Sequence, residues 1–347
     1  MTRLTSPLVF AVLVAASPIS AAGAQGLTVI RAGRLIDVDR GEVRRDQLVL
    51  VRGERIESVQ PASAKIPEGA RVVDLSRYTV LPGLIDCHTH LIGDATSADV
   101  LLPLERSEGQ EAYSGVRNAR ATLLAGFTSV RDVGTYRALV DAALRDAIND
   151  GTVIGPRMKV AGAYVTVTSG GGELVGAAPD ATLPAAFRFG VANSVDQVRE
   201  RVRAILNGGA DFIKLIATGA VFTRGTKPGV SEFTEEQIRA AVEQAAEYGT
   251  SVAAHAHGAE GIKRAVRAGV RSIDPRLTHR RRRDWADEAA GHLARSRHLE
   301  RRLHRQCRTG TEVVGGHPAE EYGDDRGPAG RLPESGSGGR EASLWDR

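Results

Sequence analysis

The sequence after Pro82 alternates regularly between strand-like and helix-like runs, and this alternation constrains the fold more than any other feature. Six apolar runs have the composition of buried strands: Gly83–His90, Thr128–Val133, Met158–Val167, Phe212–Ala217, Ser251–His257 and Val270–Ile273. Five amphipathic runs with helical spacing lie between them: Glu111–Leu124, Tyr136–Ile148, Ser194–Leu206, Thr234–Tyr248 and Glu260–Arg267. Strands that alternate with helices in this way predict a parallel sheet.

Local signals agree with this division of the chain. Ser194 and Thr234 stand where helix N-caps are expected, and the spacing from Thr234 to Gln237 allows a capping box. The Gly-rich phosphate loop that usually marks an open dinucleotide-binding sheet is absent from the sequence. We therefore predict an α/β fold, an incomplete TIM (β/α)8 barrel with about six of its strands present.

The first 80 residues have a different character. Residues 1–25 combine a positive Arg3, an apolar run at Pro7–Ala16 and an Ala-Gly-Ala site before Gln25, which is the pattern of a cleaved secretory signal. The apolar run is too short to span a bilayer, so we expect a secreted or periplasmic protein with no stable membrane anchor. Residues 26–80 contain four short β-rich runs separated by glycines: Leu27–Arg31, Leu48–Val51, Arg55–Val59 and Arg71–Val73.

Composition and charge exclude several classes of protein. The hydrophobic fraction of 42% is ordinary for a globular chain, and two cysteines without a C-x-x-C motif exclude a disulfide framework and a zinc ribbon. The net charge is +4, from 46 basic and 42 acidic residues, and residues 275–347 supply three of those four charges with 15 Arg and 12 acids. The remaining chain is nearly neutral, so we expect no nucleic-acid partner.

Polar residues close the predicted barrel strands, where an inert strand would carry Val or Ile. They are His88, His90, Asp132, Lys214, His255 and His257. The carboxyl ends of barrel strands form the catalytic face, so these side chains are expected to lie together. Each His-x-His pair puts two imidazoles on one face of a strand, and two imidazole nitrogens can chelate a divalent ion. A lysine inside an apolar run is unfavourable to bury as a cation, so we expect Lys214 to lose its proton or to be modified.

Four of these segments resemble the amidohydrolase superfamily. Val80–His90 (V-L-P-G-L-I-D-C-H-T-H) is similar to its first barrel strand, and Gly126–Gly134 is similar to its second. Phe212–Leu215 and Ala253–Gly258 are similar to its fourth and fifth strands. The resemblance covers about residues 27–274 and is strongest to a branch of metallo-dipeptidases, prolidase-like and Xaa-Arg dipeptidases among them. Imidazolonepropionase-like proteins are neighbours of that branch.

This resemblance implies a binuclear metal site. His88 and His90 are expected to bind the first metal, and His255 the second, with zinc or another divalent metal as the ion. Lys214, carboxylated by carbon dioxide to a carbamate, is expected to bridge the two. A carbamate converts an unfavourable buried cation into an anionic oxygen ligand, and the metals would lower the pKa of a bound water and polarise a substrate carbonyl.

The resemblance also implies domains and substrates. Residues 26–80 correspond to a small N-terminal β-sandwich segment and residues 81–274 to the partial barrel. His257 and Tyr164 are candidate substrate contacts, with core packing an open alternative for Tyr164. The implied enzyme is a binuclear zinc amidohydrolase or dipeptidase acting on dipeptides or N-acyl amino acids. A hydrolase of cyclic amides, such as an imidazolone or a hydantoin, and a non-catalytic fragment are the alternatives.

The resemblance ends at Asp274. The superfamily pattern places a metal-binding His at the next position, where this chain has Pro275, and it needs a general-base Asp after an eighth strand that is missing here. Residues 275–347 contain 15 Arg and 10 Gly but no Ile, Phe, Lys or Met, so they cannot bury enough apolar surface to fold. We therefore expect irregular or loosely helical structure there and little or no hydrolase activity in this chain.

A shifted reading frame from codon 275 explains the tail. If each codon is read from its second base, the genetic code permits His at 275, then two strand-like runs and a final Asp. Only two residues are forced: Trp285 and Trp345 each yield Gly, at positions where the superfamily accepts it. The alternative is a natural disordered basic tail that binds nucleic acid or membrane.

Overall fold

The computed structural model describes residues 26–93, 97, 99, 101–178, 180–221 and 223–274, together with the backbone of a short strand at 313–314. All of these residues belong to one compact unit. The predicted secretory signal and Pro275 lie outside the described residues, as does the rest of the predicted out-of-frame tail apart from that strand. Those expectations stay predictions.

An N-terminal sheet is built from four strands: β1 (Leu27–Asp37), β2 (Glu42–Arg52), β3 (Arg55–Pro61) and β4 (Arg71–Pro82). β1 lies between β2, which is antiparallel to it, and β4, which is parallel to it, while β3 pairs with β2. Side chains alternate between the faces of a strand, so Val29 and Leu48 pack on one face and Ile30 and Val49 on the other. Within the described residues this segment is one sheet with apolar side chains on both faces.

Within the described residues, the second part of the chain contains seven parallel strands: β5 (Leu84–Thr89), β6 (Phe127–Asp132), β7 (Arg157–Val160), β8 (Tyr164–Val165), β9 (Ile213–Ile216), β10 (Val252–His255) and β11 (Ser272–Ile273). They form two sheets with the orders β5-β6-β7 and β11-β10-β9-β8. The predicted parallel α/β fold is confirmed, as an incomplete TIM-barrel-like arrangement that is not closed within the described residues.

In the part of the chain that the structure describes, six α-helices and one 3-10 turn connect these strands: α1 (Leu102–Glu105), α2 (Glu108–Leu124), α3 (Val140–Asn149), α4 (Val195–Asn207), α5 (Glu235–Glu247), α6 (Ala259–Ala268) and the turn Ala185–Phe187. Ser194 caps α4 through a hydrogen bond from the Gln197 amide. Thr234 and Gln237 form the predicted capping box at the start of α5. None of the described helices is both long enough and apolar enough to cross a membrane.

The prediction of one continuous strand over Met158–Val167 is wrong. Gly162 has a φ of +72°, in the left-handed region that favours glycine, and it interrupts the strand between β7 and β8. Its amide donates to Asp141 Oδ2 at 2.9 Å and its carbonyl accepts from the Leu139 amide at 2.7 Å. Because these backbone groups bond to the start of α3 and not to a neighbouring strand, the barrel wall divides here into two sheets.

One residue pair of the tail departs from the expectation of irregular structure. Val313–Val314 form a two-residue strand, β12, which pairs antiparallel with Leu81 and Pro82 of β4. β12 extends the N-terminal sheet to five strands, in the order β12-β4-β1-β2-β3.

The largest apolar core lies between β8–β11 and the helices α4, α5 and α6. Its fully buried members include Val165, Val202, Ile205, Ile213, Leu215, Phe233, Ile238 and Ala254. A smaller core lies between β6–β7 and the helices α2 and α3, with members Ala119, Val130, Leu144 and Val160. In both cores the strands pack against helices through apolar side chains. The carboxyl ends of the strands lie outside these cores and can carry polar residues.

Candidate functional site

The strands β5, β9 and β10 carry the candidate ligands, with the histidines at strand ends and Lys214 one residue after the start of its strand. His88 lies in β5 and His90 directly after it, while Lys214 lies in β9 and His255 ends β10. In the parallel ladder, Ala253 pairs with Lys214 and His255 with Ile216, so the side chains of Lys214 and His255 lie on the same face of this sheet. His88 interacts electrostatically with Lys214 and with His255, across the two sheets.

The imidazole rings of His88 and His90 lie close together at the carboxyl end of β5. The ring centroids are 5.4 Å apart and the rings are inclined by 78°. His90 Nδ1 lies 2.8 Å from the Gly134 carbonyl oxygen, which can only accept, so Nδ1 carries the proton and Nε2 is left as an electron-pair donor. Burial lowers the pKa of His90 to about 4 and also lowers the pKa of His88. Both rings are therefore neutral at physiological pH, the form that binds metals.

The His255–His257 pair is more tightly packed. Its ring centroids are 4.4 Å apart and inclined by 82°. His255 Nε2 and His257 Nδ1 are buried and have no hydrogen-bond partner among the described residues. Burial lowers the pKa of His255 to about 3, with the neighbouring His257 and Lys214 adding to the effect. Buried nitrogens without partners are rare in native proteins, and they fit a site whose occupant is a metal or a polar substrate group.

Lys214 is buried, as its apolar neighbours predict, with 2% of its surface exposed. Its Nζ donates to the backbone carbonyl of Asp274 at 2.7 Å. Burial lowers the pKa of Lys214 to about 8, against the opposing charge of Asp274. The neutral amine is the form that attacks carbon dioxide to give a carbamate, so this lowered pKa favours the modification that the family resemblance implies.

Asp132 and Tyr164 enclose His90. The Asp132 side chain is fully buried, and its Oδ2 accepts from the Leu91 amide at 2.6 Å, while Thr89 Oγ1 lies 3.4 Å from the same oxygen. The Tyr164 hydroxyl donates to the Gly134 carbonyl at 2.9 Å and lies 3.2 Å from His90 Nδ1. These contacts fix the residues before and after His90 and the carbonyl that orients its ring. The predicted substrate contacts of Tyr164 and His257 stay predictions.

The sequence predicted that Asp132 lies at a strand end but did not indicate what it does, and it gave no functional role to Arg131. Arg131 Nε donates to the Cys87 carbonyl at 2.8 Å, Nη1 to Ser272 Oγ at 3.1 Å and Nη2 to Asp274 Oδ2 at 2.7 Å. The only signal for it in the sequence is a charged residue at an alternate position of an apolar strand.

The donor set suits a divalent metal, although the described residues do not complete a site. Neutral imidazole nitrogens are preferred zinc ligands. His90 bonds to Gly134 through Nδ1, and the buried His255 Nε2 has no hydrogen-bond partner among the described residues. Within the described ranges, however, no three His, Cys, Asp or Glu side chains lie close enough together to hold a metal ion. A complete ligand set therefore requires Lys214 or residues outside the described ranges.

Comparisons with known proteins point to one family. Residues 79–312 match the family described as "Amidohydrolase family". The ochratoxinase of Aspergillus niger is 33% identical over 272 residues, which cover 72% of this chain and 54% of that protein. The chain thus spans about half the length of this relative.

Two solved structures are similar in fold and sequence. One is a Xaa-Pro dipeptidase with bound methionine in its active site, at 35% identity and a TM-score of 0.64, over 71% of this chain and 61% of the other. The other is a prolidase complexed with N-methylphosphonate-L-proline, at 34% identity and a TM-score of 0.65, over 71% and 60% of the two chains.

Proposed function

We propose, because this chain belongs to the amidohydrolase family, that its intact parent protein is a metal-dependent hydrolase of C–N amide bonds. One observation carries the proposal beyond the family. Lys214 is buried as the second residue of β9 and interacts electrostatically with His88, His90 and His255 of the other strands. A buried lysine among neutral imidazoles has no packing purpose, whereas it suits a metal centre.

In the proposed centre His88 and His90 would hold one zinc or other divalent ion, His255 would hold a second, and Lys214 as a carbamate would supply an oxygen ligand. A divalent metal supplies Lewis-acid polarisation of a substrate carbonyl and acidifies a water molecule. The described residues orient this chemistry. Gly134 fixes the tautomer and ring position of His90, and Asp132 holds the backbone on the far side of that ring. Burial keeps the imidazoles neutral and so available as ligands.

We propose dipeptides or N-acyl amino acids as the substrates of the parent protein. The names of the similar proteins, ochratoxinase, Xaa-Pro dipeptidase and prolidase, support this class. His257, with a buried ring nitrogen that lacks a partner, is available to bond a polar group of such a substrate. Tyr164 reaches the same region through its hydroxyl contact with His90.

For the chain as it is written we propose little or no activity. Pro275 offers no side-chain ligand where the family has His, and the sequence supplies no counterpart of the general-base Asp. Loss of a ligand and a base removes the groups that generate and aim the nucleophile. We also propose export of the parent protein, from the pattern of its first 25 residues.

The test compares this chain with the product of a gene whose frame is restored at codon 275. Both are purified with zinc and assayed on a Xaa-Pro dipeptide, an N-acyl amino acid and a hydantoin. We expect hydrolysis of one of the first two by the restored protein and none by this chain. Hydrolysis of the hydantoin alone would favour the cyclic-amide alternative. A soluble, metal-loaded restored protein that cleaves none of them would contradict the proposal, and turnover by this chain at ordinary enzyme rates would contradict its inactivity.

A further inference from the structure

The candidate ligands are divided between two sheets. His88 lies in β5, an outer strand of the three-stranded sheet, whereas Lys214 and His255 lie in β9 and β10 of the four-stranded sheet, whose outer strand is β11. β5 and β11 share no backbone ladder within the described residues. On this side of the site, the contacts that join the two groups of candidate ligands within the described residues are made by side chains.

Arg131 of β6 supplies a continuous set of contacts across this gap. Its Nε bonds to the Cys87 carbonyl, one residue before His88, at 2.8 Å. Its Nη1 and Nη2 bond to Ser272 Oγ and Asp274 Oδ2 of the β11 segment, at 3.1 and 2.7 Å. These contacts join the strand of the first His pair to the end of β11.

The same chain of contacts continues to the lysine. Ser272 Oγ donates to Asp274 Oδ2 at 2.7 Å, so the Asp274 carboxylate is held from two sides. The backbone carbonyl of Asp274 in turn accepts from Lys214 Nζ at 2.7 Å. The path from Cys87 to Lys214 thus runs through one guanidinium and one aspartate, and every bond along it is short.

We propose that Arg131 is a positioning residue that sets the separation between the His88–His90 pair and the Lys214–His255 pair. The inference rests on the proposed function, because it treats the two pairs as parts of one metal centre. A guanidinium suits the task, since its rigid fork of donors can address three acceptors at once, while a lysine ammonium acts as a point charge. The Phe212 ring lies 5.5 Å from Arg131 Cζ and further restricts the guanidinium.

The direction in which zinc affinity changes distinguishes a positioning role of Arg131 from simple repulsion between its charge and the metal ion. A guanidinium near the site repels a divalent cation, so an Arg131→Met variant should bind zinc more tightly if charge alone mattered. If Arg131 positions the ligands, the same variant binds zinc more weakly, by about 10- to 100-fold, the range seen for outer contacts of metal sites. Arg131→Lys keeps the charge but not the fork, so we expect a loss of similar size.

Arg145→Met is the matched control. Arg145 also bonds a carboxylate and a carbonyl, Asp211 Oδ2 at 2.9 Å and the Gly209 oxygen at 2.7 Å, and its side chain is 13% exposed against 25% for Arg131. It makes no described contact with the candidate ligands. A general loss of stability should affect both methionine variants, whereas a change in zinc affinity is expected only for Arg131.

The experiment measures zinc affinity by competition with a chromophoric chelator, and amide hydrogen exchange of the metal-free protein, on the full chain and its three variants. We expect weaker zinc binding in Arg131→Met and Arg131→Lys, with faster exchange in both 84–89 and 272–274. Unchanged or tighter zinc binding in Arg131→Met, or full retention by Arg131→Lys, would overturn the inference. If the wild-type chain binds no zinc, hydrogen exchange alone decides the inference, and the proposed function is tested separately by the frame-restored protein. Faster exchange of both segments in Arg131→Met then supports the tie between β5 and β11, and unchanged exchange refutes it.

Discussion

The two parallel sheets of this chain differ in how completely their strands are covered. In the four-stranded sheet, Ile213 and Leu215 of β9 are fully buried beneath helices α4 and α5. In the three-stranded sheet, Leu84 and Ile85 of the outer strand β5 are 42% and 45% exposed. Both sheets are parallel and both carry candidate ligands. The difference teaches that apolar sequence alone does not bury a strand; it needs neighbours on both sides.

This difference has a consequence for the candidate site. His88 and His90 stand on the less covered sheet, and Lys214 and His255 stand on the better covered one. The candidate ligands Lys214 and His255 therefore belong to strands that pack on a large apolar core. The positions of His88 and His90 depend instead on long-range contacts with Arg131, Asp132 and Gly134. The predictions below test the contrast between the sheets, beginning with the largest expected effect.

The largest effect is expected from truncating a buried side chain of the four-stranded sheet. Leu215→Ala removes a fully buried leucine and should lower the free energy of unfolding by about 2–5 kcal/mol. The matched variant Leu84→Ala, on β5, should cost less than about 1 kcal/mol, because that side chain is already 42% exposed. Urea denaturation of both variants measures the contrast, and equal losses would show that β5 is as well covered as β9.

A smaller effect is expected at the break between the sheets. Asp141 Oδ2 and Oδ1 accept from the amides of Gly162 and Ala142, so Asp141→Asn leaves one buried amide without an acceptor and should cost about 1–3 kcal/mol. Asp146→Asn, on the same helix but 65% exposed, is the control and should have little effect.

Asp141 also predicts a pH dependence. Burial raises its pKa from 3.8 to about 6, so the native protein retains a proton that the unfolded chain releases. Stability attributable to this group therefore falls as the pH rises from about 4 to about 6. Thermal denaturation across this range should show a melting temperature that depends less on pH in Asp141→Asn than in the wild type. A melting temperature that falls more steeply with pH in the variant would contradict the predicted contribution of Asp141.

The smallest effect compares helix caps on the two sheets. Ser194 caps α4, which covers the four-stranded sheet, and Ser107 caps α2, which covers the three-stranded one. Each Ser→Ala variant should cost about 1 kcal/mol if the chain unfolds as one unit. If the three-stranded sheet opens on its own, Ser107→Ala should speed hydrogen exchange in α2 and β5 while leaving the global midpoint unchanged.

Local patterns predicted most of the fold. Apolar runs and N-cap residues placed the strands and helices to within a few residues, and the burial of Lys214 followed from its apolar neighbours. The break at Gly162 was not predictable, because its left-handed conformation depends on a carboxylate 21 residues earlier in the chain. The start of α2 at Glu108 was also missed, since the capping box of Ser107 and Gln110 lies in a polar stretch.

The candidate site, like the fold, was predictable only in part. His88, His90, Lys214 and His255 were identified because strand ends of a barrel face one site, which is a property of the topology. Arg131 could not be identified, because its partners Ser272 and Asp274 are more than 140 residues away in sequence. Ligands recur at fixed strand positions, whereas the residues that orient them depend on tertiary packing.

The central claim is that His88 and His90 of one sheet and His255 of the other belong to one metal centre, and zinc titration of the full chain tests it most directly. The competing chelator gives the affinity of the wild type and of His90→Ala, His255→Ala and His257→Ala. The account predicts that zinc binds the wild type and that His90→Ala and His255→Ala each weaken binding by about tenfold or more, while His257→Ala leaves it unchanged. No zinc binding by the wild type, or a zinc affinity of His90→Ala or His255→Ala equal to that of the wild type, would contradict it.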